Sequence, residues 1–128
     1  MALRDATAAD IGEICALIRE LAAHEDMSAE VVWEPEQLAE HLFGDDPAAS
    51  VLLTVDDETE SVAGFALWYR TFSTFLGRPG IWLEDLFVRP SHRRRGHGLA
   101  LLEHLRSMTE GRVEWAVLDW NEPALGFY

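Results

Sequence analysis

The pattern of apolar and polar positions divides the 128-residue chain into a series of short elements. LRDA, Leu3 to Ala6, reads as a brief first strand. Thr7 opens TAAD, with Asp10 at the fourth position, the spacing of a capping box. Ile11, Ile14, Cys15, Ile18, Leu21 and Ala22 then recur at helical spacing and predict an amphipathic helix. EDMSAEVVW has no period and reads as a loop. In EPEQLAEHLFG, Pro35 suits a first helical turn and Gly44 suits a helix stop, so a short second helix is expected.

Strand patterns follow. SVLLTV and VAGFALWYRTF are joined by the charged turn DDETES, with Gly64 a candidate bulge. IWLEDLFV is a further strand, apolar except for Glu84 and Asp85, and Pro90 closes it. Strict alternation along this strand sends Glu84 and Asp85 to opposite faces. From Gly96 to about Glu110 the LALLEHL pattern predicts a helix, which Gly111 ends, and VEWAVLDW is another strand. In NEPALGFY, Asn121 can cap a last helix with Pro123 in its first turn. The order β-α-α-β-β-β-α-β-α predicts one α/β domain over residues 1–128, a mixed sheet flanked by helices.

Composition narrows the function classes. The chain has 10 Lys and Arg against 23 Asp and Glu, a net charge of −13. Such acidity argues against nucleic acid as a partner, since phosphate binding wants a broad basic face, and it would attract small cations. No apolar run approaches the ~18 residues of a membrane span, and the N-terminus lacks the apolar stretch of a signal peptide. Cys15 is the single cysteine, so an internal disulfide is impossible. A cytoplasmic protein is expected. His24, His41, His92, His97 and His104 lack metal-ligand spacing, so no metal site is expected.

Against that acidity, HRRRGHGLALLEHL (92–105) concentrates Arg93, Arg94 and Arg95 beside Gly96 and Gly98. A strand, a glycine loop and a helix start form the local architecture of an anion site, because unpaired N–H groups and the helix dipole favour negative charge there. GHGLAL lacks the third glycine of G-x-G-x-x-G, and no Gly-Lys-Ser/Thr follows, which excludes two common nucleotide loops.

The remaining Arg-x-x-Gly-x-Gly, preceded by LEDLFVRPSH, resembles motif A of the GNAT acyltransferases. LRDATAADIGEICALIREL resembles that family's first strand and helix, and LDWNEPALGFY its later segment. GFALWYRTFSTFLGRPGIWLEDLFV resembles the spermidine/spermine and thialysine N-acetyltransferases. The resemblance implies a GNAT-like fold and acetyl-CoA as co-substrate. It implies that the loop of Arg93, Arg94, Arg95, Gly96, His97 and Gly98 holds the CoA pyrophosphate. The backbone of Leu86, Phe87 and Val88 would hold the pantetheine arm, with Asn121 beside the cofactor.

By the same resemblance, Glu84 would deprotonate a small primary amine through water, and Tyr128 would protonate the departing thiolate. Asp85 and Glu25 would line the amine pocket, with Ser73 and Phe75 beside it. Ser73 stands where polyamine-preferring members carry Asp, which tilts the expectation toward thialysine-like substrates. Phe75 and Trp68 are candidate walls, or core. Family members continue for about two more strands, so the resemblance also implies a C-terminally incomplete domain. Its open sheet edge would suit a homodimer. Two readings compete with a small-amine enzyme: a catalytically weak acyl-CoA-binding module, and an acetyltransferase acting on a protein amine.

Overall fold

Among residues 1–116, the part that this computed structural model describes, the elements follow the expected order. They are β1 (Ala2–Asp5), α1 (Ile11–His24), α2 (Pro35–Phe43), β2 (Ser50–Val55), β3 (Val62–Ser73), β4 (Arg78–Val88), α3 (His97–Ser107) and β5 (Val113–Trp115). β1 lies one residue earlier than its pattern suggested. The expected loop after α1 contains a 3-10 turn at Ser28–Glu30. The helix expected from Asn121, and with it Tyr128, falls outside the described residues.

The strands lie in chain order, β1 to β4 antiparallel and β5 parallel to β4 across the α3 connection. Each face of this sheet has its own apolar layer. Ile14, Leu17 and Leu21 of α1 and Leu42 of α2 pack on Val51, Leu53, Phe65, Leu67 and Phe87. Leu101 and Leu105 of α3 pack on Leu52, Ala66, Trp68, Ile81 and Leu83. β2 serves both layers, which is why SVLLTV reads as a continuous apolar run instead of an alternating one. Trp68 is core, on the α3 face.

The predicted capping signal forms: the Thr7 N–H donates to Asp10 Oδ2 at 2.8 Å. Arg4 grips the same carboxylate in a fork of 2.8 and 2.9 Å, tying β1 to the start of α1. At the other end of the sheet Arg89 donates to Glu20 at 2.8 and 3.1 Å and also to Glu13. Its third tie is to the Val62 carbonyl at 3.0 Å. This guanidinium fastens α1 to the end of β4. No helix among the described residues is long and apolar enough to cross a membrane.

Two bulges interrupt the ladders. Thr54 opposes Gly64 while Val55 opposes Val62, so Ala63 is the extra residue, next to the glycine the sequence flagged. Gly64 has a separate reason to be glycine: a Cβ there would sit 2.4 Å from the Phe87 carbonyl oxygen. Backbone cannot yield as a side-chain tip can, so Gly64→Ala is expected to cost ~2 kcal/mol. A lower urea midpoint with an unchanged m-value would register that loss.

Candidate active site

The second bulge builds the acidic site. Leu67 opposes Asp85 and Trp68 opposes Leu83, leaving Glu84 as the extra residue of β4. Leu83 and Leu86 both pack on the α3 side. The two residues between them therefore belong to the other face, where strict alternation allows one. Asp85 pairs with Leu67, a member of the α1 layer. Glu84 accepts a long hydrogen bond, 3.4 Å, from the indole of Trp82 two residues earlier. The expectation of opposite faces is thus corrected: the inserted residue puts both acids on the α1 side.

On that face Asp85 enters a cavity of about 240 Å³ that it shares with Ile18, Leu21, Ala22, Glu25 and Trp33. Met27, Glu30 and Val31 complete the wall. Removal from water pushes the Asp85 carboxyl up to about 6, and the charges of Glu84 and Glu25 push the same way. Glu25 is also raised, chiefly by its own burial, with nearby His24 partly opposing. A carboxylate that water solvates poorly gains more from an arriving cation than an exposed one does. Among the described residues three carboxylates, two of them desolvated, and no lysine or arginine line this cavity. Its chemistry suits an organic ammonium, with Trp33 and the aliphatic residues against the carbon chain.

Sequence reasoning did not single out Glu30, Met27, Val31 or Trp33. An acid and an aromatic within an aperiodic loop after a helix were the available signal. Ser73 and Phe75, in contrast, lie at the turn of the β3–β4 hairpin. They line a separate cavity of about 220 Å³ with Phe72, Arg78, Arg112 and Glu114. Six residues of strand separate Ser73 from Leu67, roughly 20 Å. Within one chain, then, they are not brought to the Asp85 cavity. The Ser73 hydroxyl instead accepts the Leu76 N–H at 3.1 Å and shapes the turn, and Phe75 is 97% exposed.

The arginine loop leaves the end of β4 directly. Arg93 folds back, its Nε donating to the Val88 carbonyl at 2.9 Å and its guanidinium over the Phe87 ring. Arg95 reaches Asp56 at 3.3 Å. Arg94 and Gly96 both have left-handed backbone, φ 64° and 86°, and Gly96 caps α3. Left-handed residues within a turn gather successive N–H groups on one side and make an anion-binding concavity. Two of the three arginines are thus held by the protein itself. The amides of the loop and of the first α3 turn, including His97 and Gly98, are its other electropositive groups. Leu86, Phe87 and Val88 lie just upstream, past the segment Ile81–Leu83 that pairs with β5. Asn121 and Tyr128 lie outside the described residues.

Comparison with known proteins places the chain in a family and a fold. Residues 17–128 match the model of the Acetyltransferase (GNAT) family. Thialysine N-epsilon-acetyltransferase of Bos taurus is 34% identical over 136 residues, spanning 98% of this chain and 79% of that protein. Spermidine/spermine N(1)-acetyltransferase-like protein 1 of Homo sapiens is 30% identical over 98% of this chain, though only 19% of its own length. A solved probable acetyltransferase superposes with a TM-score of 0.82 at 22% identity, covering all of this chain and 86% of that one.

The raised Asp85 carboxyl has a cost with a definite sign. Its neutral form is favoured in the folded state, so the cost is absent below the ordinary value of 3.8 and complete above about 6. Asp85→Asn should therefore raise Tm by ~5 °C at pH 8 and leave it unchanged near pH 4. Calorimetric melts at the two pH values check this.

Proposed function

The chain belongs to the Acetyltransferase (GNAT) family and is an N-acetyltransferase, and from that premise we propose that it moves acetyl from acetyl-CoA to a small primary amine bearing a second cationic group. Thialysine-like, diamine and polyamine substrates all meet that description. The observation that carries the reading is the cavity that holds Asp85 and Glu25, desolvated and with no lysine or arginine among its described lining residues, on the strand that feeds the arginine loop.

In this reading the CoA pyrophosphate lies on the amides of Arg93 to Gly98, and the pantetheine arm runs along Leu86 to Val88. The arm then delivers the thioester beside Glu84 and Asp85. One ammonium pairs with Asp85 and Glu25. The reacting amine loses its proton to Glu84 through water, since an aliphatic ammonium of pKa about 10.4 has no lone pair to offer at pH 7. Its nitrogen then forms the C–N bond to the carbonyl carbon as the C–S bond breaks. The thiolate leaves with that electron pair and takes a proton from the Tyr128 phenol, and the second proton shed by the newly acylated nitrogen restores the phenol through water. Asn121 contacts the cofactor. Ser73 and Phe75 reach an amine only if a second copy brings its hairpin tip to this site, and a homodimer fits the exposed Phe72, Phe75 and Leu76.

An acetyl-transfer assay with a panel of mono-, di- and polyamines tests the reading. Diamines should turn over well, and monoamines of equal length poorly. Asp85→Asn should raise the amine KM ~10-fold or more without moving the acetyl-CoA KM, while Glu84→Gln should lower kcat by ~10²-fold. Parental kinetics in both variants would remove these acids from the mechanism. Because Asp85 binds the ammonium as a carboxylate, kcat/KM for the amine should fall as pH drops below about 6 and level off above it. Gly98→Val should abolish CoA binding, measured by calorimetry. A folded variant with unchanged affinity would move the pyrophosphate elsewhere.

A further inference from the structure

The residue between the two loop glycines is buried and polar. His97 is the first residue of α3 and only 3% exposed. It heads the stripe His97, Leu101, Leu105, whose two leucines are fully buried against the sheet. Four-residue spacing puts all three on one helix face. An apolar residue at 97 would complete that stripe at no electrostatic cost, whereas a buried imidazole must find a partner. Its partner is Thr54 of β2, also fully buried: Nδ1 and Oγ1 share a hydrogen bond of 2.6 Å. Apolar packing would hold α3 on the sheet but tolerate small slips and rotations. A short hydrogen bond between two buried groups fixes distance and direction together.

Further ties converge from the same strand end. Asp56, one residue beyond β2, takes His92 Nε2 and Arg95 Nη1 on one oxygen, each at 3.3 Å. Its other oxygen accepts the Glu58 N–H at 2.9 Å, which sets the carboxylate and holds its pKa low. The His92 ring meets the His97 ring edge-on, centroids 6.1 Å apart. Three residues of the segment 92–97 are thus fastened to positions 54 and 56. Burial holds the His97 imidazole below its ordinary value, so at pH 7 it is neutral and its two ring nitrogens have distinct roles, one donor and one acceptor.

We propose that His97, through its hydrogen bond to Thr54, is a positioning residue for acyl-CoA: it locks the first turn of α3 onto β2 so that the loop amides hold the orientation that binds the pyrophosphate. This rests on the reading of Arg93 to Gly98 as the CoA loop. Neither side chain touches the cofactor. Their effect is confined to how well the amides are aimed, so it falls on CoA affinity and spares the amine pocket on the opposite face of the sheet.

Steady-state kinetics and CoA calorimetry on His97→Leu, Thr54→Val, the double variant and Thr54→Ser test it. The two single variants should each raise the acetyl-CoA KM and the CoA Kd about tenfold, with kcat and the amine KM within about twofold of the parent. The double variant should be no worse than either single one, since both remove the same bond. Thr54→Ser should restore affinity. The double variant replaces both buried polar groups by apolar ones and leaves neither unpaired, so its Tm should hold or rise while CoA affinity falls, a combination that a purely structural role would not produce. Should Thr54→Val fail to fold, His97→Asn carries the test: it keeps a polar atom near the Nδ1 position and should bind CoA better than His97→Leu. Unchanged CoA affinity in folded His97→Leu, or strictly additive losses in the double variant, would overturn the proposal. Failure of the loop reading looks different: folded Gly98→Val would then bind CoA as the parent does, and the proposal falls with it.

Discussion

A pleated strand hands alternate residues to opposite faces, and β4 has to break that rule once. Its first half must give Ile81 and Leu83 to the α3 layer, and its second half must give Phe87 to the α1 layer beside Phe65. Those positions are an even number of residues apart, so a regular strand would send all three the same way. One inserted residue reconciles the two halves. The insertion falls at Glu84, and the place where the parity changes is where two consecutive side chains share a face. Both are acids. The placing of two adjacent acids on one face, Asp85 desolvated and Glu84 at its exposed rim, is therefore a by-product of how two apolar layers share one strand.

The arginine loop shows a second economy. If this loop holds the CoA pyrophosphate, as proposed, guanidinium groups pointed at the ligand would be the simple expectation in so acidic a chain. Here Arg93 and Arg95 are turned onto the Val88 carbonyl and Asp56. Their charge remains nearby, but their hydrogen bonds shape the loop. In that reading the amides would supply the directional contacts to the ligand's oxygens. Fixed amides also have little conformational entropy left to lose on binding.

Much of this was legible in the chain. Periodicity located α1, α2, β2 and α3, the Thr7–Asp10 cap formed as read, and the glycine-arginine loop stands between a strand and a helix. Each of these depends on neighbours a few residues apart. What escaped depends on partners far along the chain. The β4 bulge leaves no mark in its own strand, unlike the one beside Gly64, since LEDLF is read as regular alternation and only the two opposing layers expose it. Trp33 and Glu30 join the cavity because their aperiodic loop packs over the end of α1. Ser73 and Phe75 were placed beside the acids by the family resemblance alone, and a long antiparallel hairpin carries them some six strand residues away from that cavity.

The hairpin tip has a consequence for handling the protein. Phe72, Phe75 and Leu76 stand in solvent on an arm that projects from the layered core, while the molecule as a whole carries a charge of −13. At neutral pH and low ionic strength the mutual repulsion of like-charged particles keeps such tips from meeting at random. Concentrated salt shortens that repulsion to a few ångströms, and acidification toward the carboxylate range removes it. The same arm that is innocuous in dilute neutral buffer then becomes a sticky end. Colloidal behaviour, more than unfolding, is expected to set the lower pH limit at which concentrated samples remain clear.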